Sequence, residues 1–269
     1  MTIHELMTRI RLPEEAQQEV MKFLLEEKEY LSWKEIFYKD VKEFIMKWKA
    51  SENHLQWVLS FYIQLACEVY DEYQKQNISD EIFNDSFYDI TLWAIECNRK
   101  YGFYGLEEAP WVGVTMQMKL FRLGRLQFEP ITLKEDRIGE KVQFKAGTKL
   151  LNTHIPAGEK MDYDECLKSI KKAEEFFGDT YEGYICDSWL LAPALKQFLS
   201  DDSNIVKFQN MFEIIKVHYS FPQSEQRIFE DIREDKENYP EDTTLRRKTK
   251  QFFVEGNDIG IGIGIFYKS

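Results

Sequence analysis

The chain has 269 residues, a formal net charge of −12, 43% hydrophobic and 15% aromatic residues, which is enough apolar material for one large core or two smaller ones. The negative total opposes binding to a phosphate backbone, so no nucleic-acid partner is expected. No apolar run approaches the ~18 residues of a membrane span, and the opening MTIHELMTRIRLPEEAQQEV lacks the pattern of a secretory signal, so a cytoplasmic protein with no membrane partner is expected.

Residues 1–110 read as helical. Pro13, Glu14 and Glu15 suit the first turn of a helix, and Ala16, Val20, Phe23, Leu24 and Leu31 recur at helical spacing. Ser32-x-x-Glu35 has the form of a capping box and predicts a new helix there. A third helix carries Leu55, Val58, Leu59, Tyr62, Leu65, Ala66, Val69 and Tyr73. Ser79 caps a fourth, which ends near Gly102. Four such helices suggest a bundle, and nothing in them points to chemistry. Tyr101–Pro110 reads as the connector.

Residues 111–269 read as a mixed sheet. Val114, Met116, Met118 and Leu120 alternate with Thr115, Gln117, Lys119 and Phe121, which predicts a strand. Gly124-Arg125 forms a turn, Leu126–Glu129 a second strand ended by Pro130, and Val142–Phe144 and Lys149–Ile155 complete an antiparallel meander. Asp162 caps a helix over Tyr163–Phe177 that Gly178 closes. Strands follow at Gly183–Leu191 and Met211–Tyr219, with short helices between them and helical segments at about 222–235 and 243–254. The tail places Ile259, Ile261, Ile263 and Ile265 on one strand face and Gly260, Gly262 and Gly264 on the other, so a neighbour packs close to that glycine backbone.

Cys67, Cys97, Cys166 and Cys186 show no C-x-x-C spacing and read as buried thiols. His4, His54, His154 and His218 are scattered without zinc-ligand spacing, so no metal is expected.

Four stretches carry a resemblance: RLGRLQFE (Arg122–Glu129), NTHIPAG (Asn152–Gly158), CDSWLLAP (Cys186–Pro193) and SNIVKFQNMF (Ser203–Phe212). They resemble an uncharacterised bacterial acyltransferase-domain family that joins a helical N-acyltransferase N-terminal domain to a GNAT-like C-terminal domain. The resemblance covers essentially the whole chain. It implies an α+β protein, a helical bundle over residues 1–110 joined to a GNAT-like mixed sheet with flanking helices over 111–269. It also implies an N-acyltransferase that moves an acyl group from acyl-coenzyme A to a small-molecule or peptide amine. The oligomeric state is left open.

In GNAT enzymes the acyl-coenzyme A lies along splayed central strands, and backbone amides of the loop after the fourth strand meet its pyrophosphate. The matching loop here is His154–Asp162, so the resemblance implies coenzyme contacts from Ile155, Ala157, Gly158 and Lys160. The usual Q/R-x-x-G-x-G/A pattern is absent, and Gly158 is the one glycine in HIPAGEKM. Glu159 repels a pyrophosphate and Lys160 offsets it. This departure keeps a second reading open, a non-catalytic binding protein on a GNAT-like scaffold.

Acyl transfer to an amine needs a base, donors that polarise the thioester carbonyl, and an acid for the thiolate. Glu129 and His154, both at strand ends, are candidate bases; the competing readings are a solvated carboxylate and a loop-stabilising histidine. Asp187 and Ser188 point to opposite strand faces, so at most one of them faces a given ligand. Tyr219, beside His218 at a strand end, is a candidate acid by chemistry alone. Cys186 has no histidine partner in sequence and reads as packing. A hydrolase using Glu129 and Asp187 is the last alternative, since spacing cannot show that the two converge.

Overall fold

A computed structural model describes residues 1–268, which form two compact units: Met1–Gln127 with Pro156–Gly158, and Phe128–Ile155 with Glu159 onward.

The first unit is built from α1 (Ile3–Arg9), α2 (Glu14–Lys22), α3 (Glu27–Lys39), α4 (Val41–Lys49), α5 (His54–Lys75), α6 (Asp80–Tyr101) and α7 (Ala109–Met116). Phe37, Phe44, Phe61 and Tyr62 pack edge-on and tilted at centroid separations of 5.2 to 6.2 Å in its core. Each such ring contributes about 1.5–3 kcal/mol through burial. Ser79 Oγ accepts from Ile82 N at 3.3 Å, and Gly102 closes α6 at φ +78°, as its sequence signals predict.

Two expectations fail here. The helix expected to restart at Ser32 runs through it, because the break falls earlier. At that break the Gln64 amide takes both backbone groups of Leu25, at 3.1 and 3.0 Å, and replaces the helical bonds there. The next start is at Asp40, whose carboxylate accepts from Lys42 N and Glu43 N. The strand expected from Val114 is instead α7 and a turn. Pro110 sits in its first turn, and Ala109, Val112, Gly113, Thr115 and Met116 are all buried. A helix buried on most of its circumference shows no 3.6-residue pattern. Gly113 admits the Tyr62 hydroxyl, which lies 2.9 Å from where a β-carbon would be and donates to Ala109 O.

The strands are β1 (Phe121–Leu123), β2 (Leu126–Thr132), β3 (Arg137–Ile138), β4 (Gln143–Phe144), β5 (Lys149–His154), β6 (Gly183–Ser188), β7 (Glu213–His218) and β8 (Ile261–Tyr267). The six-stranded sheet has the order β1-β2-β5-β6-β8-β7, and the division between the units falls inside β2. β2 continues past Pro130, because its short partner β1 leaves that stretch as an edge where a missing N–H is tolerated. β3 and β4 do not join a meander; they form a separate ribbon that sets Phe144 against Leu150, Ile185 and Ile265.

α8 (Tyr163–Phe177) joins β5 to β6 in the crossover that a parallel pair requires. Further on lie α9 (Asn204–Gln209), α10 (Gln223–Phe229) and α11 (Thr244–Val254); a second core gathers Trp189, Leu195, Ile228, Phe229, Phe252 and Phe253. Gly262 and Gly264 are packed as expected within β8, but Gly260, expected on the same strand face, precedes the strand at φ +69°. A β-carbon on Gly262 would lie 2.4 Å from Leu191 O, and one on Gly264 2.7 Å from Phe212 Cβ.

Candidate active site

β5 and β6 run parallel, but their ladder has only Leu151↔Tyr184 and Asn152↔Ile185. Both strands continue beyond it, to His154 and Ser188, so the pair opens at its C-terminal end. Such an end is where α/β sheets place ligands.

Alternation along the strands decides what faces this opening. Asn152 and His154 share one face of β5; Ile185 and Asp187 share the same face of β6, because Asn152 and Ile185 are register partners. Glu129 reaches this face from β2. Its Oε2 accepts from Asn152 Nδ2 at 3.0 Å and meets His154 Nε2 at 3.2 Å. The carboxylate only accepts, so His154 carries its proton on Nε2. Both side chains are about a quarter exposed, at 25% and 27%. Asp187 Oδ1 meets His218 Nε2 at 3.0 Å, across the width of β8. The structure therefore brings Glu129, His154 and Asp187 to one sheet face.

Ser188 and Tyr219 do not join them. Ser188 faces the opposite side, is buried, and spends its Oγ on Leu190 N at 3.2 Å. Tyr219 lies one residue beyond β7 with its ring against Gly260, and is 63% exposed. A register shift between Ile214 and Lys216 resets the alternation of β7, so His218 rather than Tyr219 meets Asp187. Cys186 is fully buried; burial, then the Asp187 charge, pushes its thiol far up, so it is not a nucleophile.

The loop after β5 is less suited to an anion. Ile155 packs against the core around Trp189. Pro156 O accepts from Arg125 Nη1 at 3.1 Å, within the first unit. Ala157, Gly158 and Lys160 are exposed, and Gly158 has φ +86°. The start of α8 is capped from within: Asp162 Oδ1 accepts from Glu165 N at 3.1 Å, and Asp164 and Glu165 occupy the first turn. A pyrophosphate brought there meets carboxylates. Among the described residues, no group of three or more His, Cys, Asp or Glu could hold a metal, and no helix is long and apolar enough to cross a membrane.

Two members of this face went unread in the sequence. Asn152 had a visible signal, because it stands two residues before His154 and shares its side of the strand. His218 had none as a partner for Asp187, because 31 residues separate them and the register shift intervenes.

The family model for the GNAT-like C-terminal domain matches residues 120–266, and that for the N-acyltransferase N-terminal domain matches residues 1–118. The chain belongs to the family that joins these two domains. Its fold is that of GNAT-like acyltransferases. Among solved structures, an acyltransferase in complex with decanoyl-CoA and teicoplanin superposes at a TM-score of 0.78 with 17% identity, over 99% of this chain and 87% of that one. An acyltransferase in complex with CoA and 10C-teicoplanin gives the same values. A third, in complex with decanoyl-CoA, superposes at 0.64 with 18% identity over the whole of both chains. At this identity the likeness is one of fold. A search of curated proteins gave no match.

Proposed function

We propose that this protein is an N-acyltransferase that moves an acyl group from acyl-coenzyme A to a primary amine on a small molecule or peptide. The observation that carries the reading is the Asn152–Glu129–His154 cluster, on the face where the parallel pair β5–β6 opens. His154, oriented by its contact with Glu129, is the base that takes the amine proton. Glu129 then stabilises the imidazolium, and Asn152 holds the carboxylate in place. The amine nitrogen adds to the thioester carbon, the C–S bond breaks, and the coenzyme leaves as the thiol. Asp187 borders the same opening from β6. Complexes of fold neighbours with decanoyl-CoA support a thioester donor, and the complex with teicoplanin supports a bulky amine acceptor.

The test is thiol release from acetyl-, octanoyl- and decanoyl-CoA with a panel of primary amines that includes amino sugars and a deacylated glycopeptide. His154→Ala should lower kcat by about 10²–10⁴ at neutral pH, the range of a general base. No thiol release from any donor, or an unchanged His154→Ala enzyme, would overturn the reading. The carboxylates at the start of α8 favour a second reading, a protein that binds without turnover. It predicts stabilisation by a ligand of this scaffold, about 2.7 kcal/mol at 100 times its Kd, with no product.

A further inference from the structure

A second chain of side chains in the same unit is ordered as nucleophile, base and carboxylate. Ser220 Oγ lies 2.9 Å from His218 Nδ1, and His218 Nε2 lies 3.0 Å from Asp187 Oδ1. The carboxylate fixes the tautomer: Nε2 donates to Asp187, so Nδ1 accepts from the Ser220 hydroxyl. A serine is activated in this way, by a base within hydrogen-bond reach that a third group orients.

The scaffold holds the parts in place. Asp187 stands opposite Ile263 and His218 opposite Ile261 on β8, the strand to which both β6 and β7 pair. His218 is 26% exposed, and Ser220 is exposed at the end of the chain of bonds. Tyr219 and Phe221, its neighbours in the chain, are 63% and 44% exposed, so the segment that carries Ser220 presents apolar side chains to solvent.

We propose that Ser220 is a serine nucleophile, with His218 as its base and Asp187 as the group that orients His218, and that it accepts acyl groups from activated apolar esters or thioesters. Ser220 Oγ adds to the acyl carbon while its proton passes to His218 Nδ1. The bond from the acyl carbon to the leaving oxygen or sulfur breaks, and the alcohol or thiol departs with that proton. Water then adds to the acyl-serine, again through His218, and releases the carboxylic acid and the free serine. Ester and water are the only reactants.

The experiment uses the full chain with p-nitrophenyl octanoate and, separately, a fluorophosphonate. Neither probe carries coenzyme A or an amine, so the result is independent of the transfer reading. Expected are one phosphonyl adduct on the Ser220 peptide by mass spectrometry, none in Ser220→Ala, and nitrophenolate release that fails with it. Asp187→Asn and His218→Gln should each slow labelling at least about 100-fold while keeping the native circular dichroism spectrum. An unlabelled Ser220 in the native protein would overturn the proposal, as would labelling at the native rate in Asp187→Asn. Should His218→Gln fail to fold, Asp187→Asn decides alone, because this half-exposed carboxylate contributes little to the core.

Discussion

Asn152 Nδ2 and His154 Nε2 both approach Glu129 Oε2, so the geometry of the candidate base depends on residue 152 as well as on the histidine. Asn152→Asp tests this at single-residue resolution. The new carboxylate would stand about 3 Å from Glu129, where two like charges cannot both ionise freely. Its folded-state pKa is therefore raised above the unfolded value. The folded state then holds the extra proton at pH values where the unfolded chain has lost it, and the penalty grows as pH rises through the carboxylate range. Denaturant midpoints should match the native protein near pH 4 and fall below it at pH 7.5. An equal deficit at both values would show that the pair does not face as described. Glu129 and His154 were legible as polar residues at the ends of apolar strands. The Asp187–His218 pair was not, because register between distant strands is set by packing rather than by local spacing.

At the scale of elements, the Glu213 carboxylate of β7 ties down the turn between β3 and β4. Glu213 accepts from the backbone N–H of Glu140, from Lys141 N at 3.0 Å and from Val142 N at 2.7 Å. Desolvation opposes the charge, but these N–H groups outweigh it and hold the carboxyl below the ordinary glutamate value. A lowered folded pKa means that the latch is fully present above about pH 4.3, the unfolded value, and is lost as pH falls through the folded one. Amide exchange at Lys141 and Val142, corrected for intrinsic rate, should lose protection in acid. Glu213→Gln should lose part of it already at pH 7. Gly139 leaves room for the latch, since a β-carbon there would lie 2.5 Å from Glu213 Cδ. Gly139→Ala should therefore open the same ribbon, and the double variant should be no worse than either single one. Additive losses would mean that the two residues act separately.

The glycine face of β8 was legible for the opposite reason to His218, because Gly262 and Gly264 alternating with isoleucines carry their meaning locally; Gly260 followed the same pattern but lies before the strand. Gly262→Val must move the Leu191 carbonyl, a backbone group fixed in a tight turn. The expected loss is at least about 1–3 kcal/mol, the usual range for overpacking. A denaturant midpoint at or above the native one would show an open groove there instead. Ser32-x-x-Glu35 and the Val114–Leu120 alternation misled because each is a short pattern whose meaning tertiary contacts override, at Leu25–Gln64 and in the buried helix α7.

Charge over the whole molecule bears on the donor. Element order, and with it a sheet of this kind, could be read along the chain. Strand order could not, since β8 enters between β6 and β7 although it is last in sequence. A chain with net charge −12 presents a repulsive field to a polyanionic coenzyme, and Asp162, Asp164 and Glu165 repeat it locally at the start of α8. Salt screens such a field, with a Debye length of about 30 Å at 0.01 M and about 8 Å at 0.15 M. The KM for octanoyl-CoA should therefore fall as sodium chloride rises over that range. The KM for octanoyl-pantetheine, which lacks the phosphates, should not follow it. Asp164→Asn with Glu165→Gln should lower the low-salt KM for the CoA ester and leave kcat in place, because these residues are remote from the Glu129 cluster in role. A KM that rises steadily with salt would mean that cations dominate the phosphate seat. Lys160, the cation on the loop after β5, would then be the first residue to replace.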